Sequence, residues 1–199
     1  MISATDALER LREGNRRFVS GDGGQNISGS QANRAELTQG QNPFAIVLAC
    51  SDSRVPVEMV FDQGLGDLFV IRVAGNVVAP SQVGSVEYAA AQLGTKLVVV
   101  LGHSNCGAVD ATLKELAQEQ ELRSPNLRAI VDRIRPAIES LPISDVSLRD
   151  AVVANVRQSV RQLKHGSLMV EKMLESGELA IVGAEYSIES GEVVFLDDG

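Results

Sequence analysis

Two short segments hold most of the chain's metal-binding chemistry. The first, IVLACSDSRVPVEMV (residues 46–60), runs apolar to Cys50 and turns polar within one residue. A thiol, the Asp52 carboxylate and the Arg54 guanidinium therefore leave one strand end. The second, VLGHSNCGAVD (100–110), closes an apolar run with His103 and Cys106. The chain has only two cysteines and two histidines, so both thiols and one of the two imidazoles fall in these segments. Two thiolates and one imidazole suit zinc, a borderline-soft ion that takes S and N donors in tetrahedral geometry. His103 and Cys106, separated by two residues, can reach one ion from a tight loop. Gly107 and Ala108 then open a helix whose positive end favours an ionised thiol. Three protein ligands leave a fourth position, the mark of a catalytic rather than a structural site.

Asp52 has two readings. It lies close enough to Cys50 to swing onto the ion as a fourth ligand, which closes the site. Alternatively Arg54 pairs with it in a forked ion pair, and the two act as a catalytic dyad beside the metal. Singly, Cys50 reads as a small buried hydrophobe and His103 as a core histidine. A Cys50–Cys106 redox pair is also open on sequence, but it leaves His103, Asp52 and Arg54 without a role.

These residues need elements to carry them. FAIVLAC (44–50), DLFVIRVA (67–74) and KLVVVLGH (96–103) are short, β-branched and apolar throughout, as strands buried on both faces of a parallel sheet are. LAIVGAEYSI (179–188) is a fourth strand, and GEVVFLD (191–197), after a tight turn, is an antiparallel edge strand. Helix-like stretches lie between them, with Gly94 and Gly177 as C-terminal stops. The alternation predicts an α/β fold: a central, mostly parallel sheet of order 2-1-3-4 with an antiparallel edge strand, flanked by helices. Loops leaving the C-terminal ends of neighbouring strands form the functional crevice of such a sheet, and Cys50 and His103 end the first and third strands. Ahead of this domain (35–199), residues 1–34 read as a helical arm and loop. Ser3 caps the helix, Ala7, Leu8, Leu11 and Phe18 give its stripe, and the Gly/Ser/Asn-rich 20–34 sets it apart. A short isolated helix is marginal in water, so the arm is expected to pack on a partner chain.

Composition narrows the function classes. An apolar fraction of 44% supplies a core, built with few aromatics. A net charge of −8 without a basic stripe argues against nucleic acid. No apolar run approaches the roughly 20 residues that cross a bilayer, and the acidic first helix is not a signal peptide. A cytoplasmic protein with no membrane partner is expected.

CSDSR followed by GHSNCG resembles the β-class carbonic anhydrases. FDQGLGDLFVIRVAGN (61–76), GSVEYAAAQLG (84–94) and IVGAEYSIESGEV (181–193) are similar to that family's other segments, so the likeness covers most of the chain. The resemblance implies one Zn2+ per chain on Cys50, His103 and Cys106. Asp52 would join the ligands only in a closed state. It implies hydration of carbon dioxide to bicarbonate by zinc-bound hydroxide oriented by the Asp52–Arg54 dyad. Gln41, Phe69, Tyr88 and Gly107 would line a narrow apolar pocket across a dimer interface, in a homodimer or dimer of dimers. Hydrolysis of carbonyl sulfide or carbon disulfide is the sister activity on this scaffold, and a non-catalytic zinc-stabilised dimer is the reading from another class. Some family members carry a bicarbonate pocket built on a Trp three residues before the first zinc Cys. Val47 stands there, so Arg72 and Tyr186 cannot complete that pocket. Because two thiolates cancel the ion's formal charge, bound water should be less acidic than in the three-histidine enzymes, where its pKa is ~7. Activity is therefore expected to rise toward alkaline pH.

Overall fold

Four parallel strands and one antiparallel strand form a single sheet of order β2-β1-β3-β4-β5, in a computed structural model that describes residues 2–24, 34, 35, 37–118, 124–141 and 146–197. The strands are β1 (Ala45–Ala49), β2 (Leu68–Arg72), β3 (Leu97–His103), β4 (Ala180–Tyr186) and β5 (Val193–Leu196). Pairing is parallel from β2 through β1 and β3 to β4, and antiparallel between β4 and β5. The strand order and the antiparallel edge are those predicted. Every residue of β1 and β3 is buried, which explains why their sequences are apolar throughout instead of alternating.

The pleat sends alternate residues to two cores. Val47, Ala49, Val99 and Leu101 face one side with Phe61 and α1 (Ala4–Ser20). Ile46, Leu48, Val98 and Val100 face the other, with α3 (Pro80–Gln92), α6 (Leu148–His165) and α7 (Leu168–Glu175). A short α2 (Val57–Val60) follows the Cys50 loop, and α4 (Gly107–Leu116) follows the Cys106 loop. Helix α5 (Pro125–Glu139) completes a third cluster, in which Ile134 and Ile138 pack beneath Cys50 and Cys106. Among the described residues, the stretch from 125 to 177 thus divides into three helices, each entered through a serine N-cap (Ser124, Ser147, Ser167). Gly94 and Gly177 adopt φ of 65° and 74° just beyond the ends of α3 and α7, as a left-handed C-terminal stop requires.

Helix α1 finds its place on its own chain. Ser3 caps it, accepting from the Asp6 N–H at 3.1 Å, and Ala7 and Leu11 are fully buried in the core beside α2. Asn15 donates to the carbonyls of Val60 (3.0 Å) and Gly191 (2.8 Å) and accepts from the Val193 N–H. Arg17 pairs with the buried Asp62 at 2.6 Å. Ala7 and Leu11 are therefore buried within one chain, and packing of the rest of the arm on a partner chain stands as an expectation of the sequence. Most of the loop predicted at 20–34 lies outside the described residues.

Gly14 sits where this helix crosses the body. A Cβ built there would stand 1.8 Å from the Phe61 carbonyl oxygen and 2.8 Å from Gln63 Nε2. Because the obstacle is backbone, Gly14→Ala should force α1 outward and destabilise the protein by about 1–3 kcal/mol. Thermal unfolding checks this, and a Tm equal to wild type would show that α1 docks loosely.

Candidate metal centre

The two cysteine loops meet because β1 and β3 are neighbours. Leu101 pairs with Ala49, so Cys50 leaves β1 one residue beyond that pair and His103 closes β3 two residues beyond it. Cys106 follows as the N-cap of α4, with extended backbone (φ −69°, ψ 115°). The Sγ atoms of Cys50 and Cys106 and a ring nitrogen of His103 all lie within 4.8 Å of one another, and all three residues are buried. Both cysteines are free thiols.

The donor set fits a zinc ion. His103 Nδ1 lies 2.9 Å from the Ser104 carbonyl oxygen. A carbonyl only accepts, so Nδ1 carries the proton and the Nε2 lone pair is left for a metal, the orientation that ligating histidines use. Nε2 is fully buried and has no hydrogen-bond partner, which is costly for a polar atom unless an ion meets it. Electrostatics of the metal-free cluster agree. A hydrogen bond from the Cys106 thiol to the Cys50 sulfur lowers the Cys50 thiol to about 4 against the opposing effect of burial. The same bond, with burial and the Cys50 charge, holds the proton on Cys106, although the amides of Ala108 and Val109 at the start of α4 oppose it. Burial disfavours the His103 imidazolium, but the adjacent Cys50 thiolate outweighs it and the imidazole pKa is raised. Zinc uptake must therefore displace the Cys106 proton, and increasingly the His103 proton as pH falls. Calorimetry in buffers of differing ionisation heat should show proton release on zinc binding that grows as pH falls. Release that is absent, or that shrinks as pH falls, would contradict this charge state.

Asp52 is held by Arg54 in the fork. Arg54 Nε donates to Oδ1 at 2.9 Å and an η-nitrogen donates to Oδ2 at 2.8 Å, while the Arg54 backbone N–H also donates to Oδ1 at 2.9 Å. The same guanidinium reaches the Asn105 carbonyl at 3.3 Å, tying the Cys50 loop to the Cys106 loop. This pairing keeps the Asp52 carboxyl well below the usual carboxylate range. A depressed folded pKa contributes stability that is present above the unfolded value and lost only as pH falls through the folded one. Across neutral and alkaline pH, Asp52 is ionised throughout.

Two supports escaped the sequence reading. Arg72 donates to the carbonyls of Cys50 (3.1 Å) and Asp52 (2.6 Å) and so braces the loop from β2. The Ser104 hydroxyl accepts from the Ile188 N–H at 2.9 Å, anchoring the other loop to the end of β4. The sequence marks Arg72 only as part of a bicarbonate pocket; its place at the end of β2, paired with Ala49, is the available signal.

The predicted pocket residues divide. Gly107 adjoins Cys106, but Phe69 pairs with Ile46 near the start of β1, about 13 Å of strand back from Cys50. Tyr88 packs on Phe69 with ring centroids 6.1 Å apart and is 50% exposed. Gln41 is exposed ahead of β1, at the end opposite Cys50. Within one chain these three do not line the metal centre.

An open, mostly parallel sheet whose central strands deliver a Cys-His-Cys cluster and a forked carboxylate to one crevice defines an α/β protein whose clustered donors suit zinc. Comparison with known proteins narrows this. The family model described as "Carbonic anhydrase" matches residues 45–193. The chain is 45% identical over 190 residues to a carbonic anhydrase of Mycolicibacterium smegmatis, covering 94% of this chain and 90% of that one. It is 40% identical over 192 residues to carbonic anhydrase 2 of Mycobacterium tuberculosis, covering 96% and 92%. The solved β-carbonic anhydrase CcaA superposes with a TM-score of 0.76 at 29% identity, over 96% of this chain and 88% of that one. The chain belongs to the β-class carbonic anhydrase family.

Proposed function

We propose that the protein catalyses reversible hydration of carbon dioxide to bicarbonate and a proton, with one zinc ion on Cys50, His103 and Cys106. One observation carries this reading: a buried three-donor cluster, one position short of a tetrahedron, stands beside a carboxylate that is held off it. The relatives named carbonic anhydrase support the substrate class. Zinc bound there would lower the pKa of water at the open position and so generate a nucleophile at mildly alkaline pH. The chain's own groups do the rest. Arg54 fills both acceptor sites of Asp52 Oδ1 and one of Oδ2, and the site left on Oδ2 can accept an O–H from the water and so turn the water's oxygen lone pair toward the substrate carbon. Its permanent charge makes it an acceptor at every working pH. Arg72, through the Cys50 and Asp52 carbonyls, keeps that acceptor in register with the cluster. Closure by Asp52 as a fourth ligand would require breaking three hydrogen bonds to Arg54, and the fork favours the open, catalytic reading over a closed structural site.

A second copy completes the pocket in this reading. Tyr88, Met59 and Leu65 expose 50%, 48% and 54% of their surface, and a homodimer or dimer of dimers would carry them, with Gln41 and Phe69, to a neighbouring crevice. No helix among the described residues is long and apolar enough to cross a membrane. Two free cysteines used as ligands fit a reducing compartment such as the cytoplasm.

Stripping and reconstitution test the proposal. Hydration rate should rise in proportion to zinc content up to one ion per chain and vanish in stripped protein. Full activity without metal would defeat the assignment.

A further inference from the structure

Asn155 and Ser159 interrupt the apolar face of α6 between Val152, Val156 and Val160, and are 2% and 1% exposed. An amide and a hydroxyl so buried cost free energy unless they are hydrogen-bonded. Both reach one three-residue turn, Ala74–Asn76, that follows β2. Asn155 Nδ2 donates to the Gly75 carbonyl at 2.8 Å, and the Ser159 hydroxyl donates to the Asn76 carbonyl at 3.1 Å. From the same turn the Gly75 N–H donates to Cys50 Sγ at 3.3 Å, a buried bond.

The turn is not one the chain adopts freely. Gly75 and Asn76 have φ of 68° and 44° in succession, and such backbone persists where its surroundings over-determine it. A Cβ at Gly75 would stand 2.7 Å from Ile134 Cδ1 and 3.1 Å from Ala108 Cβ, so the turn is wedged against α4 and α5 as well. The bonds from α6 hold the carbonyl side of the turn, and the amide side faces the sulfur.

We propose that Asn155 is a positioning residue of the metal centre: by fixing Gly75 it keeps an amide N–H aimed at the Cys50 sulfur. This rests on the zinc reading of the cluster. An N–H bonded to a thiolate withdraws electron density from the sulfur and fixes its lone-pair direction, and partners of this kind tune both affinity and electronics of a metal site. Asn155 reaches the ligand only through Gly75, and no spacing motif links residues 50, 75 and 155.

The test uses cobalt(II)-substituted full-length protein and chelator competition for zinc. Wild type should show a thiolate-to-cobalt charge-transfer band. In Asn155→Ala the band should move to lower energy, because the sulfur regains electron density, and zinc affinity should fall by about 10–100-fold. Asn15→Ala, which loosens α1 far from the centre, should lower Tm and leave the band where it is. A band and an affinity unchanged in Asn155→Ala overturn the proposal, whatever its Tm. If that variant does not fold, Ser159→Ala carries the same test with a smaller shift in the same direction, and no shift there is equally fatal. Absence of the band from wild type would instead defeat the zinc reading itself.

Discussion

Cys106→Ala should give a folded chain that loses zinc on dialysis and hydrates carbon dioxide no faster than buffer. Structural zinc sites with four protein ligands are worth about 10–16 kcal/mol, so one protein ligand carries roughly 2.5–4 kcal/mol, or about 10²–10³-fold in affinity. The loss here should reach the upper end. Cys106 is the N-cap residue of α4, whose positive end favours the ionised thiol that the ion needs, a contribution that a neighbouring water cannot replace. Removing the thiol also strands the Cys50 thiolate, whose low pKa depends first on the bond from Cys106. Metal content by mass spectrometry and hydration rate on the same sample decide the matter. Zinc retained at one per chain would mean that another donor takes the place of Cys106.

Asp52→Asn should separate chemistry from metal binding. The amide keeps one oxygen for Arg54, but its NH2 group would face guanidinium donors and cannot accept a proton from water. We expect zinc to stay near one per chain and turnover to fall by about 10²–10⁴-fold, the range for removal of a positioned proton acceptor. Loss of metal from this variant would show instead that Asp52 is a ligand and the site closed. Arg54→Ala probes the same pair from the other side. It frees an ionised carboxylate next to an open coordination position, so turnover should fall while zinc binds no more weakly than in wild type.

Much of this centre was legible from residue types alone. Two cysteines and a histidine at strand ends, in a chain nearly devoid of either type, point to an ion before any fold is known. The continuous apolar runs of β1 and β3 mark central strands, and the loops at their ends meet once the order is 2-1-3. What the sequence hid are hydrogen bonds across long separations. Asn15 reaches Val193, and Asn155 reaches Gly75, through single polar side chains on otherwise apolar helix faces. Periodicity reads such a residue as a defect in the stripe, because its partner is set by packing of distant elements rather than by spacing. The arm showed the same limit. Its stripe was clear, but Gly14, which allows α1 to touch the Phe61 carbonyl, looks in sequence like any helix-weakening glycine. The predicted strand 67–74 stops at Arg72 for a related reason: apolar Val73 and Ala74 belong to the turn that Gly75 and Asn76 bend toward Cys50.

Stopped-flow hydration of carbon dioxide by the zinc-replete protein, from about pH 6.5 to about pH 9, tests the central claim most directly. Fast turnover that rises toward alkaline pH is expected, because two thiolates offset the charge of the ion while Asp52 stays ionised over the whole range. A zinc-replete sample with no acceleration at any pH would contradict the assignment.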